Sequence, residues 1–268
     1  MKKGQILLIT LLVLSVAMTI ALALLARTTT DISISNQIEE SSRAFSAAEA
    51  GIEEALKTGT SNSVVLSPGV TYNVTVATVG GAAGVYTFPR TTLRDNTESL
   101  WLVEHNPDGS LNETLTYMNP TIDLCWSTQT TAPALVATIL YKRGSAYAIA
   151  KGAWDPDAVR RSTNQFSQPT AAAGGCGSAS MYRQLVTFSD FGINPASDIL
   201  LAIRLRPTYN NTQIAVNAAG VLPLQGNRIE STGTTTTGVT RRVIVYQQYR
   251  SPGTIFDAVI YSQSSFGH

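Results

Sequence analysis

The sequence predicts an α+β protein: a long N-terminal transmembrane and amphipathic helix, then a β-rich, sandwich-like extracytoplasmic domain. Three observations carry that expectation. An apolar run opens the chain, and a helical pattern continues past it with no Pro and, after Gly4, no Gly before Gly51. From about residue 70 the hydrophobic period then changes from 3.6 to 2. The boundaries that follow are a leader at 1–4, a transmembrane and rod helix at 5–57, a linker at 58–69 and a β-rich domain at 70–268.

The first element is set by the opening residues. Met1-Lys-Lys-Gly4 and Gln5 precede apolar Ile6 to Ala26, interrupted only by Thr10, Ser15 and Thr19. Hydroxyls at those places can bond back to a helix carbonyl one turn earlier, which keeps their cost in lipid low. About 20 residues cross a bilayer core, so the run is long enough. Lys2 and Lys3 hold the N-terminus on the cytoplasmic side, which directs the rest of the chain outward.

A cleaved secretory signal, with Ala21-Leu-Ala23 as a small-x-small site, is one reading of this segment, but its apolar run exceeds the usual length of such signals. A plain single-span anchor is another. Neither accounts for Thr28 to Lys57, which continues as an amphipathic helix with Ile34, Ile38, Phe45, Ala48, Ile52 and Leu56 on one stripe. Glu39, Glu40, Arg43, Glu53 and Glu54 fall mostly off it. A helix of about 50 residues would be roughly 75 Å long, a rod with an evident use in a filament or coiled coil.

Lys2-Lys3-Gly4 before Gln5-Ile6-Leu7-Leu8 resembles the leader of the type IV pilin and pseudopilin class. Arg43-Ala-Phe-Ser-Ala-Ala-Glu49-Ala-Gly-Ile-Glu-Glu-Ala-Leu56 is similar to the segment after the anchor in PilX-type minor pilins. A fainter likeness lies in Asn227-Arg-Ile-Glu-Ser-Thr-Gly233 and Arg241-Arg-Val-Ile-Val245. The resemblance implies that a prepilin peptidase cleaves after Gly4 and that Gln5 is then N-methylated. It also implies single-pass insertion followed by export to a filament or the cell surface, with other pilin subunits as partners of the helix. Ile9, Phe45 and Glu49 are the assembly positions it marks.

The chain departs from the class at two of these places. Major pilins begin the mature chain with Phe or Met where this one has Gln5, and they carry Glu at the fifth mature position, here Ile9. In the class that carboxylate is thought to offset the methylated amine of a neighbour, an unpaired ammonium being costly at low dielectric. The resemblance therefore implies a minor, tip or priming subunit rather than the repeating one. The alternative is a membrane-anchored adhesin or binding module outside any filament, with a surface or host-cell ligand.

Past the rod, Thr58-Gly-Thr-Ser-Asn-Ser63 reads as a stop, with Gly59 as the C-terminal signal. Val70, Tyr72, Val74 and Val76 alternate with polar residues as a half-buried strand. Further strands are expected at 99–104 and 111–117, joined through Asn106-Pro-Asp-Gly109, and at 122–126, 134–141 and 146–154. After a small-residue loop at 170–180 come 182–188, 199–206, 212–217, 228–231, 239–247 and 255–262. About a dozen short strands and no long helical pattern argue for packed sheets.

Only 14 % of the chain is charged, and the formal net charge is +1, so nucleic-acid binding is not indicated. Cys125 and Cys176 are expected to pair in an oxidising compartment, with one buried and one loop thiol as the alternative. Enzyme chemistry is not visible: His105 and His268 are the only histidines, and zinc spacing, nucleophile elbows and phosphate loops are missing from the sequence. No cofactor is expected. Asp155-Pro-Asp157 and Asp108-Gly-Ser-Leu-Asn112-Glu113 gather oxygens that could suit calcium, although ordinary turns use the same residues. Arg160-Arg161 and Arg241-Arg242, if in strands, would point to opposite faces and form no patch.

Overall fold

The computed structural model describes residues 2–254, and side chains from Leu7 onward. The protein is α+β, an apolar N-terminal helix followed by several antiparallel sheets. Helix α1 runs unbroken over Lys2–Thr58. It ends where Gly59, in the left-handed region at φ 70°, donates its N–H to the Ala55 carbonyl at 2.8 Å. Within the apolar part, Thr10, Ser15 and Thr19 each donate to the carbonyl three residues back at 2.8–2.9 Å. That bond removes their polarity from the helix surface.

The strands are β1 (Asn62–Ser67), β2 (Val70–Gly80), β3 (Gly84–Thr87), β4 (Glu98–Trp101), β5 (Glu104–His105), β6 (Leu111–Asn112) and β7 (Thr121–Ser127). Next come β8 (Ala134–Arg143), β9 (Ala146–Trp154), a short helix α2 (Ala158–Asn164) and β10 (Met181–Thr187). The last are β11 (Ile199–Thr208), β12 (Ile214–Ala218), β13 (Leu224–Thr235) and β14 (Thr240–Gln248). The chain forms two compact units: one is the chain up to Ala77 with Arg228–Val245, the other Thr78–Asn227 with the chain from Tyr246. The expected single domain from residue 70 onward is thus divided between two units, the first of which also holds the helix.

In the first unit, β1, β2, β13 and β14 lie side by side in that order. Ala44, Ala47, Ala48, Gly51, Ile52 and Ala55 form the buried face of α1, and Ala47, Ile52 and Ala55 share a core with Val70, Tyr72, Val74 and Ile229. This corrects the expected stripe. Of its six residues only Ala48 and Ile52 are buried, while Ile34, Ile38, Phe45 and Leu56 are exposed. The reason is size. Small residues let the helix backbone come down onto the strands, and a Cβ on Gly51 would sit 2.3 Å from the Ser231 hydroxyl. The longer apolar side chains flank that seat. Half of the expected linker is strand, because β1 lies within it and pairs antiparallel with β2, Val64 opposite Tyr72.

The second unit is built on two four-stranded antiparallel sheets, ordered β10-β7-β12-β3 and β4-β11-β8-β9. They share one core. Leu124, Trp126 and Val216 come from the first sheet, and Leu135, Ile139, Ile203 and Leu205 from the second. The indole N–H of Trp126 donates to the Pro133 carbonyl at 2.8 Å, so this buried polar edge is satisfied.

Several expected strands shift. The hairpin through Asn106-Pro-Asp-Gly109 is only two residues a side, β5 with β6, because Ser99–Trp101 is taken instead by β11. Residues 113–117 carry no strand. β3 and α2 were not signalled by the sequence pattern. The expected strand at 255–262 and His268 lie outside the described residues.

Candidate functional site

The expected processing and assembly residues all sit on α1. Gly4 and Gln5 are within its helical backbone, with side chains outside the described part. From Leu7 the helix is long and apolar enough to cross a membrane, and the most apolar stretch is unburied by the rest of the chain. Ile9 is 55 % exposed and Phe45 45 % exposed, and Glu49 is exposed as well. These three side chains contribute nothing to the core. They are free to meet something else.

Within the first unit, the polar edge of the rod is tied to the β13–β14 hairpin. The Thr237 hydroxyl donates to Glu40 at 2.8 Å, and the Arg241 guanidinium donates to the Ser41 hydroxyl at 2.8 Å. Hydrogen bonds from Thr235 and Thr237, with Arg43 alongside, hold the Glu40 carboxyl below its ordinary range. Arg242 instead pairs with Glu230, so the Arg241-Arg242 pair does split between faces. Arg160-Arg161 lies on α2 rather than a strand, and both guanidiniums are spent on the segment before that helix.

That segment is the first of the two oxygen clusters. Asp155 is fully buried and accepts both prongs of Arg160, at 2.6 and 3.0 Å, and the amide of Asn164 at 2.8 Å. Burial pushes its carboxyl up, but Arg160, the Asp157 N–H and Asn164 outweigh it and the net shift is downward. Asp157 caps α2, accepting from Val159 and Arg160 backbone N–H groups. Arg161 donates to the Asp155 and Pro156 carbonyls. The guanidinium of Arg160 also lies over the Tyr209 ring, 4.2 Å from its centroid. In the second cluster, Asp108 accepts from the Ser110 N–H and hydroxyl, and Glu113 from Lys142 and Tyr147. Both clusters are thus partnered from within, and among the described residues no group of three His, Cys, Asp or Glu side chains could hold a metal ion.

Cys125 on β7 is bonded to Cys176, in a short 3-10 turn over Gly175–Gly177. Their Cα atoms are 6.0 Å apart, an ordinary span for a disulfide. The bridge fixes the middle of the 170–180 loop to a strand of the core.

One polar arrangement was not anticipated. His105 on β5 stacks flat on Tyr249, centroids 3.7 Å apart and planes at 4°, and meets the Trp101 ring edge-on at 4.6 Å. Both imidazole nitrogens are shut from solvent and have no hydrogen-bond partner. Burial holds the imidazole pKa below its ordinary value. Beside this stack, Asp108, Asn227, Gln247, Gln248, Tyr249 and Arg250 line a cavity of about 480 Å³ in the second unit. The sequence offers no signal for it, because its residues come from the β5–β6 turn, β13 and the end of β14.

No protein-family model matches the chain, and no curated protein matches it.

Proposed function

We propose that this protein is a minor pilin-like subunit of a type IV pilus or related filament, acting in assembly or priming or at the tip. The observation that carries the reading is α1. One unbroken helix spans Lys2–Thr58, and its apolar first part has no partner within the chain. Its later part rests on the sheet through Ala44, Ala47, Ala48 and Ala55 and leaves Ile34, Ile38, Phe45 and Leu56 outward. Only a helix that meets other helices gains from keeping so much apolar side chain away from its own domain, since each such residue, once buried, contributes about 1.5–3 kcal/mol. Lys2 and Lys3 ahead of the span favour an outward-facing domain, and the leader-like Gly4-Gln5 junction favours the pilin pathway.

N-terminal mass spectrometry of the mature protein tests this. Cleavage after Gly4 with N-methylated Gln5 is the expected result. An intact Met1, or a start after Ala23, would overturn it. A second reading, an anchored binding module outside any filament, is favoured by the polar cavity beside Tyr249. Counting filaments after gene deletion separates the two, because only an assembly subunit takes filaments with it.

A further inference from the structure

The cavity beside Tyr249 has a chemistry that narrows what it can hold. Beside Pro107, Gly109, Gly226 and Tyr249, its lining carries a carboxylate (Asp108), two amides 3.5 Å apart (Asn227 and Gln247) and a guanidinium (Arg250), while the amide of Gln248 is hydrogen-bonded to Tyr86. A carboxylate only accepts hydrogen bonds, a guanidinium only donates, and an amide does both. A ligand whose every polar group both donates and accepts can use all three kinds, and that is the character of a hydroxyl. An apolar small molecule would need largely apolar walls, which this cavity lacks. An anion would be drawn to Arg250 and opposed by Asp108, and a cation the reverse. At about 480 Å³ the cavity lies within the range of small-ligand sites.

The aromatic part of the wall is held ready. Tyr249 lines the cavity while its ring is stacked on His105, which is itself braced by the edge of Trp101. Binding against a ring already fixed costs less ordering than binding against a mobile one. Gly226 brings the backbones of β13 and β14 together at the floor, since a Cβ there would lie 2.2 Å from the Gln247 carbonyl oxygen. The fold thus fixes the backbone at Gly226 and the Tyr249 ring, and the exposed Asp108, Gln247 and Arg250 side chains complete the lining.

We propose that this cavity binds a neutral saccharide, one or a few hexose units of a surface glycan, through the Asp108, Asn227, Gln247 and Arg250 polar groups and the Tyr249 ring. The site stands whether the chain enters a filament or remains an anchored module.

The test is retention of the full-length, detergent-solubilised protein on an array of immobilised neutral and sialylated oligosaccharides. The expected result is capture by a subset of the neutral ones, reduced at least tenfold by Tyr249→Ala and by Asp108→Ala. Gln247→Ala, at an exposed side chain, guards against misfolding and is expected to weaken capture by severalfold with an unchanged melting temperature. Capture by no neutral saccharide, capture by sialylated ones alone, or capture untouched by all three substitutions would overturn the proposal.

Discussion

A Cβ placed on Gly233 would lie 1.9 Å from the carbonyl oxygen of Ala44 and 2.7 Å from the Ala48 nitrogen. Strand β13 and helix α1 therefore meet backbone to backbone in the first unit. Only a residue without a side chain fits at that crossing. Gly233→Ala is expected to push the helix off its seat and to lower unfolding free energy by about 1–3 kcal/mol, the usual cost of overpacking. Urea denaturation of the detergent-solubilised chain, followed by circular dichroism, measures it. An unchanged midpoint would mean that the helix shifts without cost.

The exposed large residues of α1 should behave in the opposite way. Phe45→Ala removes an apolar side chain that contributes nothing to the core, so stability is expected to stay within about 0.5 kcal/mol. Filament number, counted by electron microscopy, is expected to fall. The split between the two readouts locates the side chain's partner outside the chain.

Ile9→Glu restores a carboxylate at the position where the resemblance expects one. On the proposed reading of the chain as a minor filament subunit, labelled protein is expected to appear along filament shafts and not only at isolated points. Immunogold labelling density reports it, and an unchanged density would show that Ile9 does not set abundance.

Replacing Arg160 by Met leaves the fully buried Asp155 without its bidentate partner. Breaking such a pair typically costs about 3–5 kcal/mol, measurable as a lower urea midpoint. The pH dependence has a definite sign. Asp155 has a folded-state pKa below its ordinary 3.8, so the folded chain binds fewer protons there than the unfolded one. Its stabilising contribution is complete above about pH 4 and is lost as pH falls through the folded value.

His105 titrates in a different window. Its pKa is held below 6.5 by burial, so the unfolded chain again takes the proton first. The stability linked to the neutral ring is complete above that value and declines as pH drops from about 6.5 toward the lower folded value. His105→Phe keeps a ring between Trp101 and Tyr249 and removes the proton. It is expected to flatten the slope of melting temperature between pH 7 and pH 5, where most carboxylates remain ionised.

What the sequence could disclose divides along physical lines. The helix was legible because its pattern is local and because Gly59 marks its end. Long alternating runs such as Val70–Val76 and Ala134–Tyr141 were legible for the same reason. The buried helix face was misread because apolar periodicity favours Ile and Phe, whereas close approach to a sheet favours Ala44, Ala47 and Ala48. β1 hid among Ser and Asn residues and is recognised only through its pairing with β2. α2 is seven residues long, below the length at which a period shows, though the Asp157 cap was a usable sign. The Cys125–Cys176 pair was anticipated by count and compartment. The Tyr249 cavity was not, since Asp108, Asn227 and Arg250 are brought together only by the folded backbone.

The composition of the first unit has a consequence for how the chain is made. The seat of α1 includes Ile229, Ser231 and Gly233, which follow the helix by about 180 residues and are made long after it. Contacts so distant in sequence are slow to close, and domains tend to form in the order they appear. The intervening second unit, most of it within Thr78–Asn227, can therefore fold while the helix still waits for its seat. The seat closes last. Until it does, the small-residue face of the helix, Ala44, Ala47 and Ala48, has no strand to rest on.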